Sequence, residues 1–415
     1  MNQYDAIIVG GGPAGAAAAT VLAEAGLSVI LLEEKRMPRH KVCGEFIAPE
    51  CFPTLRRLGV FESIRTAGAQ EITQLRLNDV NGRMLQVPIA DISRDSSWAI
   101  GLSRYRFDQI LLDRARAAGA VCMEGFAVKG SLSENGAICG VEGMSLTDGK
   151  MRAFHAPMVF DASGRNSRLT VLRDERVGGR PGKRLYALKA HLTGVTGIQD
   201  QVELYFFPEG YGGLSRVEND VVNLCLIVSE RTLRESAGDG LKIVRQTVMK
   251  NKLARARLAQ AEVSGKWLSA GPLTFGRRSL SESGVIPIGD AGGMIDPFTG
   301  TGMQIALRTG EMAAQSLIEC VRPSAVADSA VHRCVETTGP AVQSDGNGWD
   351  RLLPEVLARY RSKYQREFGK PMAVAKMLRQ AVFSPRSVEL VGRILVRSPR
   401  LARRMLRATR VQKSS

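Results

Sequence analysis

The sequence predicts an α/β chain, α+β overall: a three-layer domain built on a parallel sheet, an inserted, mostly antiparallel β-sheet domain, and a helical C-terminal tail. Three observations carry this prediction. A strand–turn–helix–strand unit opens the chain, a long stretch of apolar alternation fills residues 185 to 228, and a glycine-rich strand-to-helix turn recurs near residue 290.

The opening unit organises the rest. Ala6 to Val9 is a short apolar run, read as a buried strand. Gly10, Gly12 and Gly15 then open an Ala-rich segment from Ala14 to Ala25 with strong helix propensity. Gly26 ends that helix, and Ser28 to Leu32 forms a second buried strand closed by Glu33. The spacing is G-x-G-x-x-G within a βαβ unit, the pattern that binds the pyrophosphate of a dinucleotide. Glycines let backbone N–H groups approach the phosphates, and the helix N-terminus adds partial positive charge there. A carboxylate at the end of the second strand accepts hydrogen bonds from a ribose diol. Gly10, Gly12, Pro13, Ala14, Gly15, Glu33 and Glu34 are therefore the candidate dinucleotide contacts.

At 415 residues the chain has room for two or three domains with sizeable cores. Hydrophobic content of 44% and charged content of 24% are ordinary globular values. The N-terminus enters a strand directly, which argues against a secretory signal, and no apolar run approaches the length of a membrane span. Seven cysteines, scattered and without C-x-x-C pairs, suit reduced thiols in cytoplasm and give no metal signature. The net charge of +16 is concentrated at the end: from Glu355 onward 16 Lys/Arg face three Glu, leaving the first 354 residues near neutral.

Along the chain, Lys35 to Glu45 is polar and punctuated by Pro and Gly, hence a loop. Pro49 to Leu58 reads as a helix, and Glu71 to Val87 as a hairpin turning at Asn81-Gly82. Phe107 to Ala118 is an amphipathic helix with Ser103 as a plausible cap. Val121 to His155 is strand-like, and Met158 to Phe160 is a buried strand running into Asp161-Ala162-Ser163-Gly164-Arg165-Asn166-Ser167-Arg168. Leu241 to Ala259 looks helical. Gly284 to Asp290 is a strand followed by a Gly-rich turn, and a long helix runs from Met303 to about Cys320. Residues 322 to 350 read as linker, and the tail from Glu355 as helix broken at Pro371, Pro385 and Pro399.

Three separated segments now agree: the fingerprint with Glu33, the Asp161–Ser167 segment, and Gly289-Asp290 with Asp296-Pro297 and Gly300-Thr301-Gly302. Together they resemble FAD-dependent oxidoreductases of the group containing geranylgeranyl reductases, p-hydroxybenzoate hydroxylase-type enzymes and flavin-dependent halogenases. The resemblance covers roughly residues 1 to 335. It implies a Rossmann-like FAD/NAD(P)-binding domain, bound FAD, and NADPH or NADH as electron donor. A second strand-end acid, Asp290, suits the ribityl hydroxyls of FAD. Gly300, Thr301 and Gly302 open a helix whose N–H groups can face the flavin N1–C2=O edge. By the same resemblance Arg104 belongs near the diphosphate, and Lys41, Cys43 and Glu45 lie in the loop beside the isoalloxazine. Cys43 is thereby a candidate flavin-side thiol, against the alternative of a buried, unreactive cysteine.

The sequence also departs from its relatives. Ser163-Gly164 stands where hydroxylases carry Asp-Gly, and Tyr211-Gly212-Gly213-Leu214 replaces the Tyr-x-Trp-x-Phe-Pro type of motif of geranylgeranyl reductases. The Trp-x-Trp-x-Ile-Pro motif of tryptophan halogenases is absent. His40, His155, His191 and His332 are dispersed, and no metal-ligand cluster is legible. In the tail, Ile394, Leu395, Leu401, Met405 and Leu406 alternate with Arg393, Arg397, Arg400, Arg403, Arg404 and Arg407. That pattern suits a peripheral membrane contact or, equally, a solvated helical cap over the substrate domain. No aromatic platform interleaves with these charges, which argues against nucleic-acid binding.

The expected organisation is an FAD-binding domain from residues 1–178, with about 71–97 assigned to the substrate domain. A substrate-binding β-sheet domain follows at 179–279, the final part of the FAD domain at 280–335, and a basic helical tail at 350–415. The expected function is an FAD-dependent monooxygenase acting on a small lipophilic or aromatic metabolite through a flavin C4a-hydroperoxide. The first alternative is a reductase of isoprenoid C=C bonds, and the second a non-catalytic flavin-binding or electron-transfer module. The expected location is cytoplasmic, at the membrane surface if the tail binds there.

Overall fold

The structure is a computed structural model that describes residues 3–79, 81–134, 136–167, 169, 184–208, 210–277, 284–322, 348–382 and 397–410. Most of the expected linker, the Pro385 break, and Arg168, His332, Arg393, Ile394 and Leu395 lie outside the described residues.

A five-stranded parallel sheet forms the middle layer, in the order Val285–Pro287, Met158–Asp161, Ala6–Val9, Val29–Glu33, Val121–Glu124. Its inner strands are continuous apolar runs because both faces are covered. Ala6, Ile8, Leu31, Phe160 and Ile286 point to a helical layer. Ile7, Val9, Ile30, Leu32 and Val159 point the other way, onto Phe126, Val141 and Phe154 of a three-stranded antiparallel sheet. That small sheet accounts for the strand-like character of residues 126–155, while Val121–Glu124 is the edge strand of the parallel sheet.

The helical layer includes Pro13–Glu24, Gly302–Val321 and Gly348–Val382, with Leu112 and Ala115 of Arg104–Ala117 in the same core. The first two approach so closely that a Cβ on Gly310 would lie 2.2 Å from the Ala14 carbonyl oxygen. The third buries Val356, Tyr360, Tyr364 and Phe368 against them. It runs through Pro371, which the sequence reading takes as a break. Proline inside a helix costs about 3 kcal/mol; four large side chains buried on one stripe outweigh that.

A second, larger sheet has seven strands in the order Glu262–Ala270, Leu185–Thr193, Val222–Ser229, Gly210–Arg216, Gln201–Phe207, Gln74–Asn78, Met84–Pro88. The hairpin around Asn81-Gly82 thus joins this sheet, pairing Gln74–Asn78 in parallel with Gln201–Phe207. Alternation sorts the aromatics: Tyr205 and Phe207 pack beneath short helices on one face, while Phe206 and Tyr211 face the opposite core. The covering helix is not continuous over 241–259. It divides into Gly240–Gln246 and Lys252–Arg257, capped by the carboxylate of Asp239 and the carboxamide of Asn251, each accepting two backbone N–H bonds. The helix Arg104–Ala117 starts three residues before Phe107, with the Ser103 hydroxyl accepting from Arg106 N–H as its cap.

Candidate functional site

A cavity of about 640 Å3 lies between the nucleotide-type domain and the seven-stranded sheet. From one side it is lined by Gly12, Pro13 and Ala14, by Ala162 to Asn166, and by Gly289, Asp290, Gly300 and Gly302. From the other it is lined by Ala187, Val202, Leu204, Tyr211 and Ile227. The three segments singled out in the sequence therefore meet at one cavity, and the sheet supplies an apolar wall.

The glycines of this cradle divide by what surrounds them. Gly10 has φ of +111°, and a Cβ there would sit 2.4 Å from the Ala162 oxygen; one on Gly15 would sit 1.9 Å from the Gly10 oxygen. These two are required by the packing of the turn itself, and neither lines the cavity. A Cβ on Gly12 would meet only the Lys41 Nζ at 3.4 Å, and one on Gly302 nothing within 4 Å. Both face open cavity at a helix N-terminus, where backbone N–H groups and the helix dipole attract phosphate or a developing negative charge. Gly300 adopts the left-handed conformation that lets the chain turn into the second helix beside Phe46. Thr301 is buried, with its hydroxyl 2.8 Å from that of Thr299, and does not line the cavity.

Glu33 is buried at the strand end. Its carboxylate accepts from Gly11 N–H at 2.7 Å and Lys35 N–H at 3.0 Å. Glu34 is exposed and pairs with Lys35. Asp290 sits half-buried on the 3-10 turn Gly289–Ala291 and lines the cavity. Burial holds the nearby Arg165 below its ordinary value, with the Asp290 charge pulling the other way. Arg104 lines the cavity but is engaged in a two-point pair with buried Asp108, at 2.6 and 2.7 Å. Burial pushes Asp108 up, yet Arg104 and then Lys41, 3.6 Å away, hold it below the usual carboxylate range.

Sequence reasoning missed a second charged group, made by pairing this loop with the sheet. Glu45 is fully buried in a left-handed conformation. Its carboxylate takes the Lys189 ammonium, the His191 ring at 2.6 Å and the Arg104 backbone N–H at 2.8 Å. Burial pushes Glu45 up, but the His191 hydrogen bond and the Lys189 charge outweigh it, and the group is held below its ordinary value. His40 stands edge-on to His191 with ring centres 4.9 Å apart. Two of the histidines that look dispersed in sequence are thus neighbours, and ligand atoms of His40, Glu45 and His191 lie within 4.8 Å of one another. The Lys189 ammonium already supplies Glu45 with positive charge, which disfavours a metal cation there. The available signal was a lysine and a histidine two residues apart in an otherwise apolar strand.

Cys43 lines the cavity; its sulfur accepts from Glu45 N–H at 3.3 Å, and its carbonyl accepts from Asn223 at 3.1 Å. The tail contributes too. Helix Pro399–Ala408 buries Ala402 and Leu406 against the sheet, with Leu401 left exposed. Residues 397–410 of the tail thus pack on the seven-stranded sheet.

An open cradle at two helix N-termini, the acid Asp290 just past a strand end and an adjoining apolar chamber fit FAD, whose diphosphate, ribityl hydroxyls and ring need those features in turn; Glu33, expected at the ribose, is not among the residues lining the cavity. The FAD-binding-domain family model matches residues 3–343, and the chain belongs to this family of FAD-dependent oxidoreductases. Digeranylgeranylglycerophospholipid reductase 1 of Methanococcoides burtonii is 25% identical over 400 residues, covering 92% of this chain and 85% of the relative. Flavin-dependent halogenase armH3 of Armillaria mellea is 27% identical over 352 residues, covering 79% and 69%. The fold is shared with the flavin-dependent brominase Bmp2, with a TM-score of 0.74, 19% identity, and 99% and 95% of the two chains covered. It is equally shared with a geranylgeranyl bacteriochlorophyll reductase-like protein of Thermoplasma acidophilum, at 0.74, 19%, and 96% and 92%. Among the described residues no helix is long and apolar enough to cross a membrane.

Proposed function

We propose that this FAD-dependent enzyme is a reductase that saturates a C=C bond of a lipophilic, isoprenoid-type substrate. The observation that carries this reading is the coexistence, in one cavity, of an apolar wall, the flavin cradle and the side chain of Cys43. Alkene saturation needs a hydride and a proton at adjacent carbons. FAD, when bound, supplies the hydride chemistry, its electrons coming from NADPH or NADH. Gly12 to Ala14 would hold its diphosphate, Asp290 its ribityl hydroxyls, and the Gly300–Gly302 turn its ring edge. Ala187, Val202, Leu204 and Ile227 exclude water and align the substrate against that ring. Cys43, held by Glu45 N–H, presents its S–H to the receiving carbon, and the Glu45–Lys189 pair fixes the loop that carries it. The likeness to digeranylgeranylglycerophospholipid reductases along most of both chains supports this reading.

A monooxygenase or halogenase is the second reading, supported by the relatedness to flavin-dependent halogenases and by the reduced tyrosine motif at Tyr211. Anaerobic incubation of the reduced holoenzyme with geranylgeraniol separates the two. The reductase reading expects flavin reoxidation and a product gaining two hydrogen atoms. Reoxidation only on admitting O2, with an oxygenated product, supports the monooxygenase reading instead.

A further inference from the structure

The loop after the second strand of the parallel sheet brings a cation to the start of the fingerprint helix. Lys41 lines the cavity, and a Cβ built on Gly12 would meet its Nζ at 3.4 Å. Gly12 is the extended residue that precedes helix Pro13–Glu24, and the first turn of that helix carries no acidic side chain. The Lys41 side chain keeps 22% of its surface accessible, while Asp108 beside it is fully buried.

Charge is unevenly shared at this corner. Arg104 takes both oxygens of Asp108, at 2.6 and 2.7 Å, and Lys41 reaches the same carboxylate only at 3.6 Å, beyond hydrogen-bond distance. Arg39 lies 3.6 Å from Glu33. Three cations thus face two carboxylates, an excess of one positive charge, and Lys41 is the cation whose carboxylate is already engaged. The remaining cations of the cavity each have an acid of their own, Asp290 near Arg165 and Glu50 against Arg410. Burial holds Lys41 below its ordinary value, and an added anion would act against that shift.

We propose that Lys41 is the cation that binds the FAD diphosphate, with Asp108 as the residue that positions its ammonium at the N-terminus of Pro13–Glu24. Arg104, which the family resemblance puts near the diphosphate, then serves to hold Asp108. The Lys41 charge makes the site selective for a flavin that carries phosphates. An ammonium beside a helix N-terminus gives a phosphate oxygen a charge-assisted hydrogen bond, and riboflavin has no group to receive it. The Lys41 carbonyl accepts from the Lys189 Nζ at 3.2 Å, so the same residue ties the phosphate site to the sheet that walls the cavity. The assignment rests on the cavity being the FAD site, and not on which reaction occurs there.

The test is a titration of full-length apoprotein with FAD and with riboflavin, read as the change in flavin fluorescence, beside far-UV circular dichroism. Wild type binds FAD more tightly than riboflavin. Lys41→Met and Lys41→Gln each remove the charge; they weaken FAD about tenfold to a hundredfold and leave riboflavin within about twofold. Lys41→Arg, which restores a cation, keeps FAD within about fivefold of wild type. Folded neutral variants that bind FAD as tightly as wild type overturn the assignment. An equal loss of FAD and riboflavin also overturns it, since shape rather than charge would then be at work, as does a loss that Lys41→Arg fails to restore. A wild-type protein that binds neither flavin contradicts the FAD reading itself, and the assignment with it.

Discussion

The carboxylate of Glu45 holds the ammonium of Lys189, 144 residues away in sequence, with both side chains almost completely buried. This pair pins the loop after the second strand of the FAD domain to the strand Leu185–Thr193, next to one edge of the seven-stranded sheet. It thereby fixes Cys43 and the cavity mouth relative to the apolar wall.

Breaking one partner leaves the other charge buried. Lys189→Met is expected to destabilise the protein by about 3 kcal/mol or more, and Glu45→Gln with Lys189→Met to recover much of that loss. Thermal unfolding of the two variants beside wild type checks this. The pH dependence has a definite sign. Glu45 is held below its ordinary value in the folded state, so its contribution is present above the unfolded carboxyl pKa, about 4.3. The contribution is lost as pH falls through the lower folded value. Wild-type stability should therefore drop more steeply on acidification below about pH 4 than that of the double variant.

Arg104 and Asp108 test the same physics inside the FAD domain. Their two-point geometry needs a planar guanidinium. Arg104→Lys is expected to lose about 2 kcal/mol despite keeping the charge. Equal chemical-denaturation midpoints for the lysine variant and wild type would show that charge alone suffices.

Asp290 lines the cavity. Asp290→Ala is expected to weaken FAD binding by about tenfold to a hundredfold, the worth of one or two charge-assisted hydrogen bonds. Flavin fluorescence quenching during titration of apoprotein measures it, and full flavin retention on purification would remove Asp290 from the site.

Much of this site was legible because its parts are local. G-x-G-x-x-G sits on a strand–helix turn whose steric demands involve neighbours in sequence, and Gly300–Gly302 repeats that logic at the long helix. Gly10 and Gly15 nevertheless do a different job from Gly12, a distinction visible only once Ala162 is seen closing over the turn. The Glu45–Lys189–His191 group was not legible: it joins segments more than a hundred residues apart, and periodicity carries no record of which loop a strand faces. Pro371 misled for a related reason: the local penalty is real, but the burial of Tyr360, Tyr364 and Phe368 that offsets it depends on helices elsewhere.

The most direct test of the account compares wild type with Gly12→Val. A side chain at this position meets little protein and projects into the space assigned to the FAD diphosphate. Titration with FAD, followed by fluorescence, is run beside far-UV circular dichroism. The account predicts that wild type binds one FAD per chain, and that the variant keeps its secondary structure and binds none. A folded Gly12→Val protein that binds FAD as tightly as wild type would contradict it.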